Sequence, residues 1–104
     1  MDLQLPITAV LDTDTYNEID DQFALAYALL ARETVDLRAV IAAPFSNMRA
    51  ATPDEGMRKS YEEICRILAL FGKAPNGFAW RGATAYLPAR RTPVDSEGAR
   101  RMQP

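Results

Sequence analysis

Five carboxylates fall within the ten residues DTDTYNEIDD, Asp12 to Asp21, and neither lysine nor arginine precedes Arg32. Two carboxylates about 4 Å apart repel by roughly 1 kcal/mol in water, and by several times that in a less polar cleft. Such a cluster calls for a positive partner. With no basic residue at hand, a hard divalent cation is the economical one, and Asp12, Asp14, Asp20 and Asp21 are the carboxylates that could converge on it. The chain contains no histidine, which removes the commonest general base and transition-metal ligand. A plainer reading stands beside this one: Asp20 and Asp21 cap a helix, and the DxD is solvated turn chemistry.

Two kinds of cation chemistry can be compared with the pattern. An EF-hand loop begun at Asp12 requires Gly at its sixth position and Glu at its twelfth, where Asn17 and Phe23 stand. A phosphatase of haloacid-dehalogenase type also opens with strand, DxD and helix, and would use Asp12 as a magnesium-bound nucleophile. Its pattern wants Thr or Val two residues past the second Asp, where Tyr16 stands, and it leaves the Asp20-Asp21 pair unexplained.

The elements that must position these residues are legible. ITAVL, residues 7–11, is a short β-branched apolar run bounded by Pro6 and the acidic cluster, and reads as a buried strand. From Asp20 or Asp21, DDQFALAYALLARE is made of good helix formers and is apolar on most sides, which predicts a deeply packed helix with Phe23, Leu25, Leu29 and Leu30 as packing residues. VDLRAVIAA returns to a strand pattern closed by Pro44. In TPDE, Thr52 is a natural N-cap, Pro53 the first helical residue and Glu55 the capping-box partner. Met57, Tyr61, Ile64, Cys65, Leu68 and Phe71 then recur at helical spacing, with Arg58, Lys59, Glu62, Glu63 and Arg66 on the other face and Gly72 at the end. FAW, residues 78–80, reads as a third strand, and a last helix starts near Asp95 or Ser96. This order predicts an α/β fold with an open parallel sheet and right-handed crossovers. Ligands of such sheets sit beyond the carboxyl ends of the strands, where the acidic cluster, the loop 44–51 with Asn47, and the loop after Trp80 with Arg81 and Tyr86 all fall.

A strand ending in DxD, a loop, a DD pair and an apolar helix resembles the N-terminal signature of the nucleoside hydrolases, the inosine-uridine-preferring family. The stretch RGA…LP…TP, residues 81–93, is similar to that family's third strand and the loop after it. The resemblance runs through essentially the whole chain and implies a single domain, residues 1–104, forming the first three strands and intervening helices of a larger, Rossmann-like nucleoside hydrolase domain. It implies hydrolysis of the N-glycosidic bond of a ribonucleoside or other N-riboside, with inversion, through an oxocarbenium-like transition state. It also implies that Asp14 binds Ca²⁺ and accepts a proton from water, that Asp21 grips the same ion, that Asp20 and Asn47 contact the sugar, and that Asp12 supports the motif from behind. Further ligands come from later parts of such a chain, so these residues alone are expected to bind metal weakly and to show little catalysis. Where the family places three residues before the DD pair, generally with a glycine, five stand here, TYNEI. The loop therefore either bulges outward or brings Asn17 and Glu18 into the site. The remaining alternative is a non-catalytic remnant that binds or assembles through its exposed sheet edge.

Composition narrows the setting. Residues 1–36 carry a net charge of −7 and residues 37–104 one of +5. The acidic half argues for a cation, whereas the scattered basic residues, paired only at Arg90-Arg91 and Arg100-Arg101, argue against nucleic acid. No apolar window suits a membrane span or a secretory leader, so a cytoplasmic protein is expected, homo-oligomeric at full length. The single cysteine, Cys65, sits in an apolar helical stripe and reads as a buried, unreactive thiol.

Overall fold

A computed structural model describes residues 4–89 and 92–103; the Arg90-Arg91 pair lies outside them. The chain runs β1 (Ile7–Thr13), α1 (Ile19–Leu30), β2 (Val35–Ala42), α2 (Pro53–Leu70), β3 (Ala79–Arg81) and α3 (Glu97–Arg101). The strands form one sheet in the order β1-β2-β3, and both pairings are parallel. The expected open α/β sheet is thus present, with its third strand set one residue later than the FAW run suggests. Arg38 bulges out of the ladder, because Ala9 pairs with Leu37 and Val10 already pairs with Ala39.

Strand alternation divides the sheet into two faces. On one face, Leu11, Val40 and Ala42 meet Leu25 of α1 and Met57, Ile64, Ile67 and Leu68 of α2, and these residues form the core. On the other, Ile41 is covered by α3, whose Gly98 comes so close that an added Cβ would lie 2.5 Å from Ile41 Cγ2. The N-terminus of α2 forms as the sequence predicts: Thr52 Oγ1 accepts from the Glu55 amide at 3.2 Å. The Glu55 carboxylate reaches one residue further back than a capping box would, to the Ala51 amide at 3.0 Å.

Four packing expectations need correction. The ITAVL run is not a buried strand, since Ile7 and Val10 are exposed and only Thr13 of β1 is buried. Helix α1 is not deeply buried, since Leu25 is its one fully buried side chain while Ile19, Phe23, Tyr27 and Leu30 are 68–71% exposed. A helix apolar on most sides needs cover on most sides, and among the described residues its main contacts are with β2 and α2, so Phe23 and Leu30 are surface residues. Glu63 leaves the polar face of α2 and is buried, held by Gln22 Nε2 at 2.6 Å and by Arg66. Cys65 is only half-buried, because its side of α2 lies at the margin of the core.

Candidate carboxylate site at the strand ends

Asp14 leaves β1 at its carboxyl end, and Asp21 lies in the first turn of α1, with the loop 15–18 between them. The loop is pinned from below by α2. Ser60, fully buried, accepts from the Tyr16 amide through Oγ at 3.2 Å and from the Thr15 hydroxyl through its carbonyl at 3.5 Å. This clamp folds the chain back so that the two aspartates meet.

Asp21 accepts a hydrogen bond from the Thr13 hydroxyl at 2.8 Å. Its carboxyl is nevertheless held above the usual carboxylate value, first because the Asp14 carboxyl lies against it as a hydrogen-bond acceptor, then through loss of water and charge repulsion from Asp14. The Asp14 and Asp21 side chains thus lie against each other. The groups at the pair able to ligate an ion, two carboxylates and the Thr13 hydroxyl, would all do so through oxygen. Among the described residues no group of three or more His, Cys, Asp or Glu side chains gathers in metal-holding geometry, so the pair stands as two carboxylates with one hydroxyl.

The longer loop turns inward. Asn17 Nδ2 donates to Asp14 Oδ2 at 2.9 Å, and Asn17 Oδ1 accepts from Asn47 Nδ2 at 2.6 Å. Asn47 Oδ1 accepts in turn from the Arg49 amide at 2.7 Å, and the Arg49 guanidinium returns to the Asn17 carbonyl at 2.8 Å. A continuous chain of bonds thus links the loops after β1 and β2, with Asn47 inside it. Glu18 is exposed at the start of α1 without a side-chain cap, and lines a groove of about 460 Å³ with Tyr16, Gln22 and Arg49.

Other expected members stand apart. Asp20 is exposed, its Oδ1 accepting from the Asp21 amide at 3.1 Å. Asp12 lines a separate cavity on the α3 side of the sheet, where loss of water raises its carboxyl above the usual value although the residue keeps solvent contact. Arg81 is committed to the Tyr61 ring, 4.2 Å from its centroid, and the Tyr86 hydroxyl accepts from the Ser46 amide at 2.9 Å. Sequence reasoning missed Thr13, Ser60 and Arg49. Ser60 alone left a usable signal, a small polar residue at helical spacing between Met57 and Ile64 in the apolar stripe.

No family model matches this sequence, and neither a curated protein nor a solved structure is significantly similar to it.

Proposed function

We propose that this chain carries the cation-binding and sugar-contacting half of an N-ribohydrolase site. The observation that supports the reading best is the apposition of Asp14 and Asp21, in which Asp14 holds the Asp21 carboxyl above its ordinary value. The donor set fits calcium in kind, being carboxylate and hydroxyl, and is smaller than the six to eight oxygens calcium takes. Asp14 and Asp21 would hold the ion, and its charge would ease deprotonation of a nearby water.

The chain's own groups account for the remaining steps. Asp14, fixed by Asn17, would accept the proton of the attacking water, since a carboxylate with one oxygen engaged by an amide keeps lone pairs for a second partner. The negative charge of the pair would favour a transition state with positive charge on the sugar ring. Asn47, at the end of the network, would contact a sugar hydroxyl once its bond to Asn17 opens. Phosphoryl transfer from Asp12 is less well supported, because Asp12 lines a cavity that neither Asp14 nor Asp21 lines.

Calcium titration followed by differential scanning fluorimetry tests the reading. Millimolar calcium should raise the melting temperature of the native chain and leave Asp21→Asn unchanged, while magnesium should do less because it demands tighter octahedral geometry. An equal response in both chains would refute it. Release of p-nitrophenol from p-nitrophenyl riboside, against p-nitrophenyl phosphate, distinguishes glycosyl from phosphoryl transfer.

A further inference from the structure

Beside the carboxylate pair, the other face of the sheet carries a second concavity. It has a volume of about 350 Å³ and is bounded by Asp12, Ile41, Gly82, Tyr86, Val94 and Met102. Its place follows from register: Asp12 pairs with Ile41 across the ladder, and both project from the face opposite α1 and α2. Small walls keep it open. At Gly82 an added Cβ would lie 2.3 Å from the Ala42 carbonyl oxygen, so the chain beyond β3 must run close along the end of β2. Tyr86 then ties the loop back to Ser46 on the far rim.

The lining is mostly apolar, its polar side chains being the solvent-exposed Asp12 carboxylate and the Tyr86 and Ser96 hydroxyls. Among the described residues that carboxylate has neither an ion-pair partner nor a protein hydrogen-bond donor. A carboxylate only accepts, and two parallel N–H donors satisfy it best, while the aliphatic walls favour the carbon face of a ring. We propose that this cavity is a binding site for a small amino-substituted heteroaromatic ring, its N–H edge on Asp12 and its faces against Ile41, Val94 and Met102. The site is distinct from the Asp14 and Asp21 pair and does not depend on what that pair binds.

The test is an NMR titration of the ¹⁵N-labelled chain with 2-amino-4-pyrimidinone, a neutral ring whose ring N–H and amino N–H lie parallel, with benzamidine and toluene as further probes. Saturable shifts at the amides of Asp12, Ala43, Gly82 and Ala83 are expected with 2-amino-4-pyrimidinone. Affinity should fall about tenfold or more in Asp12→Asn, which loses the charged acceptor, and binding should vanish in Ala83→Phe, which fills the cavity. The same spectra report whether each variant is folded. Unchanged affinity in Asp21→Asn is expected, whatever calcium does there; a loss of ring binding in that variant would overturn the assignment of a separate site. Absence of saturable shifts, equal binding of toluene, or binding of benzamidine alone would overturn the proposal, the last in favour of simple attraction of a cation.

Discussion

The ionised form of Asp21 opposes folding, because it lies against Asp14. The Asp21 carboxyl titrates above its ordinary 3.8 in the folded chain, so between those two values the folded state holds more proton than the unfolded state. Stability from this group is therefore full below the ordinary value and is lost as the pH rises through the raised one. Asp21→Asn, which keeps the acceptor for Thr13, should stabilise the apo chain at neutral pH by up to about 1 kcal/mol at low salt, the screened repulsion of two carboxylates in water. Urea denaturation at neutral and acidic pH should show the gain shrinking toward pH 4, and calcium should reverse its sign. Glu55 behaves oppositely: the Lys59 ammonium and the Ala51 amide hold its carboxyl below the usual range, so its support for α2 is present at neutral pH and lost on acidification. The meeting of Asp14 with Asp21 could be anticipated from residue type alone. Its supports could not, since a hydroxyl forty-four residues along the chain, such as Ser60, leaves no trace in the acidic stretch it anchors.

At the level of elements, α2 carries most of the fold's apolar contact and has the clearest start signal. Thr52→Ala should cost about 1 kcal/mol through loss of the N-cap bond, read as a lower urea midpoint at unchanged slope. Gly56→Ala should be far worse, because the new Cβ would lie 1.8 Å from the Phe45 carbonyl oxygen, an overlap that only movement of the backbone can relieve. A loss of more than about 2 kcal/mol is expected, or no folded protein at all. The strands and both long helices were legible because capping, β-branched runs and helical spacing are local signals. The depth of α1 was not, since periodicity tells which side chains are apolar and says nothing of what arrives to cover them. Glu63 misled for a related reason: a charge on a helix reads as surface until Gln22, forty-one residues away in sequence, supplies its partner.

Across the whole molecule, the side chains Ile19, Phe23, Tyr27 and Leu30 form an exposed apolar stripe on α1, and β1 is an edge strand of the sheet. Contiguous apolar surface of this kind invites self-association. Phe23→Lys with Tyr27→Lys should raise the solubility limit and reduce dye binding to exposed apolar surface, with stability changed by less than about 0.5 kcal/mol, because neither side chain belongs to the core. Among the described residues no helix is long and apolar enough to cross a membrane. The strand order β1-β2-β3 has a temporal meaning as well. Each strand joins the one synthesised just before it, so a nascent chain can extend its ladder in the order it leaves the ribosome. The first ladder nevertheless has little to rest on until α2 emerges, because most of the side chains that bury Val40 and Ala42 lie downstream. A stalled chain ending at residue 50 should therefore remain open to protease, and one carried past residue 72 should close abruptly.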